Sequence, residues 1–245
     1  VTDEPRAWQV VLESIERDLL DGRLRPGDHL PGERALSADL GVGRSSVREA
    51  LRVLEVLGLI RTATGSGPNS GAIIVALPGG GMSSLMRLQV AATGFAVADI
   101  VKTRLVLETA VAAELADASP RPDLTASADL LDAMESRALP AAEFLALDAQ
   151  FHLALAEASG NQVIAATMAG LRSSIERYVR QGAATLPSWP ETSARLMREH
   201  RSILAAIESG EAASARELVH AHISGYYAET NLPTRRTPTE RDPHG

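Results

Sequence analysis

The sequence predicts a mainly α protein in two parts: an N-terminal unit of three helices with a small β-hairpin, joined to an all-α antiparallel helical bundle. Three observations carry this. Between Leu30 and Ile60 two short runs of 3.6-residue apolar periodicity flank Gly41. Pro78-Gly79-Gly80-Gly81 is the clearest breaker cluster in the chain. From Met82 onward the apolar spacing is helical throughout, in a chain rich in alanine and leucine and poor in aromatic residues.

The first helix is expected from Ala7 to Asp21, with Trp8, Val11, Leu12, Ile15 and Leu19 on one face and Gly22 ending it. Residues 23–32, RLRPGDHLPG, read as a Pro/Gly loop in which His29 is an exposed loop residue rather than a ligand. Leu36 and Leu40 lie i,i+4 on a short second helix, Gly41 supplies a turn, and Val47, Ala50, Leu51 and Leu54 form the apolar stripe of a third. That is helix-turn-helix grammar. Arg44, Arg48 and Arg52 recur at i, i+4 and i+8 and project as one row away from the stripe. Such a row is often only a solvated helix face, but it also suits a phosphate-lined groove. The residues after the third helix favour the groove: Gly58 closes the helix, Leu59-Ile60-Arg61 and Ala72-Ile73-Ile74-Val75 read as two strands, and TATGSGPNSG connects them. A Gly-rich polar connection of this kind can form a wing whose backbone N–H groups approach phosphates.

The stretches PGDHLPGER, GVGRSSVREAL and the glycine-bearing wing closely resemble, in order, the motifs of the GntR family of bacterial transcription regulators, over roughly residues 7–76. The resemblance implies a winged helix-turn-helix in which Arg34, Arg44 and Arg48, with Ser45, Ser46 and the wing glycines Gly65 and Gly67, face double-stranded operator DNA. Gly32 and Gly43 depart from the pattern, standing where the family usually has serine helix caps. Glycine at an N-cap costs only a few tenths of a kcal/mol relative to serine, so the fold tolerates the change.

The net charge of -7 is at first sight unsuited to nucleic acid. The local balance differs: residues 42–61 hold four Arg against Glu49 and Glu55, which leaves one positive face. Lys102 is the only lysine, so nearly every cation is arginine, the side chain suited to bidentate contacts. The absence of cysteine excludes disulfides, thiolate metal sites and cysteine nucleophiles. No apolar run approaches the roughly 20 residues that cross a bilayer. The N-terminal VTDEPRAW lacks a signal pattern, so a cytoplasmic protein with no membrane partner is expected.

The expected domains are 1–78, a glycine linker at 79–81, a helical domain at 82–230 and a disordered tail at 231–245. Within the helical domain the spacing predicts helices over 82–92, 96–118, 123–137, 140–158, 161–182, 190–209 and 211–230. Asp148 and His152 fall on the inward face set by Phe144, Leu145, Phe151 and Leu155. His200 lies on the face of Leu196, Ile203, Leu204 and Ile207, and His222 on that of Ala215, Leu218, Val219 and Tyr226. His220 falls outside, beside Arg216 and Glu217. A single inward histidine is usually an ordinary core residue. Four such groups buried together without compensation would cost several kcal/mol, on the order of the desolvation penalty of polar groups, and imidazole and carboxylate are suitable ligands for a divalent metal.

This half resembles the FCD ligand-binding domain of the FadR subfamily of GntR regulators. The resemblance implies that Asp148 and His152 in DAQFH, His200 in EHRSILAAIESGE and His222 in AHIS hold one divalent metal, zinc foremost, with nickel and manganese as alternatives. It also places Arg104 and Glu108 of DIVKTRLVLETA near the cavity that receives an effector. Asn161 reads equally as a pocket-lining residue or as a helix N-cap. The function expected is a homodimeric, non-enzymatic DNA-binding regulator, taken as a repressor, whose grip on a palindromic operator is controlled by a small carboxylate at the metal. Two alternatives stand beside it: a metal that only stiffens the bundle, and a metal-dependent hydrolase.

Overall fold

The computed structural model describes residues 6–63, 71–75, 80–93, 95–136 and 138–230. The chain divides into two compact units, Val1–Leu85 and Met86–Gly245.

In the first unit α1 (Ala7–Leu20), α2 (Glu33–Leu40) and α3 (Arg44–Val56) are followed by β1 (Ile60–Ala63) and β2 (Gly71–Ile74). The predicted stripes form the core: Val11 and Ile15 of α1, Leu36 of α2 and Val47, Ala50, Leu51 and Leu54 of α3 are buried, with Ile60 and Ile74 closing it from the hairpin. Gly41 ends α2 at φ 64°, a left-handed turn that a Cβ would strain. It lets α3 start three residues later. Gly32 and Gly43 are the N-caps of α2 and α3 and provide no side-chain hydrogen bond. The strands pair antiparallel with Ile60 opposite Ile74.

Two expectations need correction here. Residues 23–32 are not only a loop, because Gly27 N–H donates to the Ile74 carbonyl (2.8 Å), Ile74 N–H to that of Asp28 (2.9 Å) and Leu30 N–H to that of Ala72 (2.8 Å). His29 stays exposed, as expected, while bridging to Ile73. The Pro and Gly turn signals on both sides hide a short bridged segment around His29. Nor is the glycine cluster purely a linker. Gly80 and Gly81 open α4 (Gly80–Thr93), and the division between units falls inside that helix. A first helical turn tolerates glycine because its N–H groups lack intrahelical partners in any case. Gly81 is also required sterically, since a Cβ there would lie 1.5 Å from the carbonyl oxygen of Leu57. The wing glycines Gly65 and Gly67, Gly79, and the tail at 231–245 lie outside the described residues.

The second unit contains α5 (Val97–Asp117), α6 (Thr125–Glu135), α7 (Ala141–Ala158), α8 (Gln162–Ala183), α9 (Trp189–Ser209) and α10 (Ala212–Glu229). Each lies within two residues of its predicted bounds. α5 packs along α10 and α9, α7 against α8, and α6 against α7. Leu115, Leu131, Phe151, Leu196, Ile203, Ile207 and Val219 are among the side chains completely enclosed between them. Burying one such side chain contributes about 1.5–3 kcal/mol. No helix among the described residues is long and apolar enough to cross a membrane.

Candidate functional site

α7, α9 and α10 each carry polar groups on a face otherwise given to the core. Asp148 and His152, one turn apart on α7, meet His200 of α9 and His222 of α10, and one ligand atom from each lies within 4.8 Å of the others. All four residues are buried. His222 Nε2 lies 3.2 Å from His152 Nε2 and 3.2 Å from His200 Nε2, while His200 Nε2 is 3.0 Å from Asp148 Oδ1. His220, two residues before His222, is exposed.

The other ring nitrogens determine which atoms face inward. His152 Nδ1 lies 2.6 Å from Glu108 Oε2, and His222 Nδ1 lies 2.8 Å from Glu199 Oε2. A carboxylate accepts only from a protonated nitrogen, so both imidazoles carry their proton on Nδ1 and direct the Nε2 lone pair at the centre. Two facing lone pairs at hydrogen-bond distance repel unless a cation or proton lies between them. His200 Nδ1 is buried with no hydrogen-bond partner among the described residues, and its ring packs on Phe151 with centroids 4.9 Å apart. A buried polar atom left unpaired costs about 1–3 kcal/mol, whether donor or acceptor.

The carboxylates are themselves held. Arg104 donates from Nε to Glu108 Oε1 (2.6 Å), from Nη2 to Oε2 (3.3 Å) and from Nη1 to the Tyr178 hydroxyl (2.7 Å), all of it buried. Arg195 donates to Glu199 (2.6 Å) and to Glu229 (2.7 Å) in a half-exposed setting. Burial alone would raise the Glu108 carboxyl, but the Arg104 charge and His152 outweigh it and bring it down to about 2. For Asp148 burial is likewise outweighed, by the hydrogen bond and charge of His200, and the group is held well below the usual carboxylate range. Burial, reinforced by the neighbouring His200, lowers His222 to about 4, and burial lowers His200 as well. Near neutral pH the centre therefore holds His200 and His222 as neutral imidazoles beside one ionised carboxylate, with Glu108 neutralised by Arg104.

That donor set suits a divalent cation. Ligands about 2.0–2.1 Å from zinc lie about 3.3 Å apart on a tetrahedron and about 3.0 Å on an octahedron, which matches the 3.0 and 3.2 Å separations. Beside the centre, Arg104, Asp148, Tyr178, His222 and Tyr226 line a small cavity with Leu145, Val179, Leu196 and Ile223, with room for about one water molecule. A second, mostly apolar cavity lies against Glu108 and His152.

The residues singled out in the sequence do not all meet there. Arg104 lines the cavity, but Glu108 points to His152 Nδ1 instead. Asn161 is not at the cavity; it is exposed at the start of α8, where its Oδ1 accepts from Ile164 N–H (3.2 Å) as an N-cap. Glu199 and Tyr178 escape sequence reasoning. Glu199 adjoins His200 in the chain yet serves His222 on the next helix, and Tyr178 gives no polar-in-core signal because phenols often lie at core edges.

In the first unit Arg34, Arg44, Ser45 and Arg48 are exposed and Ser46 is half-buried. Arg48 Nε lies 2.9 Å from Glu33 Oε2, and Arg44 Nη2 lies 3.6 Å from the same oxygen.

Comparison with known proteins agrees with both halves. Residues 8–68 match the gntR family of bacterial regulatory proteins, and residues 99–225 match the FCD domain. The chain belongs to the GntR family. The Glc operon transcriptional activator of Escherichia coli K12 is 30% identical over 204 residues, covering 81% of this chain and 79% of the relative. The HTH-type transcriptional regulator LutR of Bacillus subtilis is 30% identical over 217 residues, covering 85% and 97%. The solved Streptococcus agalactiae GntR superposes with a TM-score of 0.61 at 25% identity, covering 91% of this chain and all of that one. This GntR protein, with the FCD architecture of the FadR subfamily, is a DNA-binding transcription regulator rather than an enzyme.

Proposed function

We propose that this regulator binds a palindromic operator as a homodimer, and that a small carboxylate effector, held at a divalent metal in the bundle, controls that binding. The observation that carries the effector half is the convergence of three Nε2 atoms and Asp148 Oδ1, with His152 and His222 backed by carboxylates. Asp148, His152, His200 and His222 would hold the ion, with zinc favoured by donor type and spacing. When bound, it would supply a Lewis-acid centre for an anionic oxygen. Arg104 sits on the cavity wall and has guanidinium protons beyond those given to Glu108 and Tyr178, which supports a bidentate role toward an effector carboxylate. Tyr178 fixes the plane of that guanidinium. Burial of the centre keeps bulk water from competing for the ligand charge.

Arg34, Arg44, Ser45, Ser46 and Arg48, with the wing at Gly65 and Gly67, form the proposed DNA-facing set. The exposure of the α2 and α3 arginines supports it. The homodimer rests on reach: one recognition helix covers a few base pairs, and two copies about one DNA turn apart read a two-fold site. Sedimentation of the full chain tests it, and a monomer at micromolar concentration would remove it. Repression is the sign we take, and a promoter fusion tests it: expression that rises on loss of the regulator supports repression.

Elemental analysis decides the metal. His200→Ala and His222→Ala should lose the ion while His220→Ala retains it; equal metal in all three would make the inward histidines ordinary core residues. A thermal-shift screen of carboxylic acids with and without chelator then separates sensing from a stiffening role. A stiffening ion would respond to chelator and to no acid.

A further inference from the structure

The least explained contact in the DNA-facing unit is an acid among the arginines. Glu33 is the first residue of α2, where the helix dipole favours a carboxylate, and Arg44 is the first residue of α3, where the dipole disfavours a cation. One oxygen, Glu33 Oε2, lies 2.9 Å from Arg48 Nε and 3.6 Å from Arg44 Nη2. The three side chains are 34%, 55% and 59% exposed, so this is not a pair buried for stability. An exposed pair contributes roughly 0–1 kcal/mol to folding. As a component of a DNA-binding face the acid looks counterproductive, because it repels phosphates.

The atom it binds resolves this. A guanidinium has two usable edges, Nε–Nη and Nη–Nη, and Glu33 occupies Nε of Arg48. Among the described residues the two Nη groups of Arg48 have no protein partner. That is the fork which reads guanine O6 and N7 in the major groove. We propose that Glu33 is a specificity-determining positioning residue: it fixes Arg48 so that the Nη fork is presented to a base edge, and its charge suppresses sequence-independent capture of phosphate by Arg44 and Arg48. The two roles have opposite signs. Orientation strengthens the correct site, and repulsion weakens every site. Glu33 thus trades total affinity for discrimination. This inference rests on the DNA-facing role proposed for Arg44 and Arg48.

The test uses the full-length protein, an operator duplex enriched by it from a random library, and a scrambled duplex of equal length and composition. In Glu33→Ala, affinity for the scrambled duplex should rise about 2–5-fold and affinity for the enriched duplex should fall about 5–10-fold, so discrimination drops at least about 10-fold. Glu33→Gln keeps an acceptor for Arg48 Nε without the charge, and should retain most of the enriched-site affinity while still binding scrambled DNA more tightly. Asp39→Asn removes one exposed charge from the same helix with no contact to either arginine, and should raise both affinities by one factor. If Glu33→Ala also shifts both duplexes by one factor, Glu33 is only a nearby charge and the proposal is overturned. If the wild-type protein enriches no sequence, the DNA-facing assignment fails and this inference with it. Enrichment with parallel shifts overturns the role of Glu33 alone.

Discussion

Each unit of the chain contains an arginine held by a carboxylate, and the two pairs differ chiefly in their surroundings. Arg48 and Glu33 meet at 2.9 Å with side chains 55% and 34% exposed; Arg104 and Glu108 meet at 2.6 Å with 4% and 6%. In water the first pair is worth roughly 0–1 kcal/mol, so Glu33 can orient Arg48 without the fold depending on the contact. In the bundle neither charge can be left alone, because breaking a buried pair costs about 3–5 kcal/mol. The same chemistry is therefore a weak positioning contact in one unit and a fixed scaffold in the other. An effector at Arg104 must add to the Glu108 contact rather than replace it.

The most direct way to break that comparison is to remove Glu108. Glu108→Ala should lose about 3–5 kcal/mol in denaturant unfolding, with Glu108→Gln intermediate, whereas Glu33→Ala should change stability by less than about 1 kcal/mol. Equal losses in the two units would show that exposure is not what separates them.

Acid should act next most strongly, through the buried histidines of the bundle. Unfolded imidazoles take up protons near pH 6.5, while folded His222 resists until about 4 and His200 is shifted in the same direction. Between those values the unfolded chain binds more protons, so stability present above pH 6.5 is lost as the pH falls toward 4. His222 alone accounts for about 3 kcal/mol. Chelator-treated protein followed by circular dichroism over that range checks it, and a flat profile would mean that the histidines titrate freely. Metal release on acidification toward about pH 5 should accompany it, since neutral imidazole is the binding form.

These effects depend on groups that are unevenly legible in the sequence. The four inward polar groups follow from helical period alone, because 3.6-residue spacing fixes which side of α7, α9 and α10 a residue occupies. Their supports do not. Glu199 reads as an outward neighbour of His200, and only the packing of α9 against α10 turns it toward His222. Glu108 is visible as one turn from Arg104, but its bond to His152 joins two helices whose arrangement no local pattern specifies. In the first unit the Pro and Gly flanks conceal the pairing of residues 27–30, and Gly81 looks like a breaker because its packing on Leu57 is a tertiary fact.

Smaller changes sharpen the contrast. Arg48→Ala should cost about 1–3 kcal/mol of operator affinity with the helical signal unchanged, and Arg44→Ala should act in the same direction. Fluorescence anisotropy at fixed salt measures both. Unaltered affinity in both variants would remove α3 as the reading element. Asn161→Ala should cost about 1 kcal/mol of stability through the lost cap and leave metal content and effector response untouched. A changed effector response would return Asn161 to the pocket.

The segment from Gly27 to Leu30 has a consequence for the wing. A two-stranded hairpin usually takes its register from its turn, and a slip of one residue would move Ile74, 2% exposed, from the core to solvent. Here β2 is clamped from its other side by three backbone hydrogen bonds to residues 27–30. Register is thereby set independently of whatever joins Ala63 to Gly71. The length and sequence of that connection can therefore change without misaligning the strands, which leaves it free to vary on an unchanged frame.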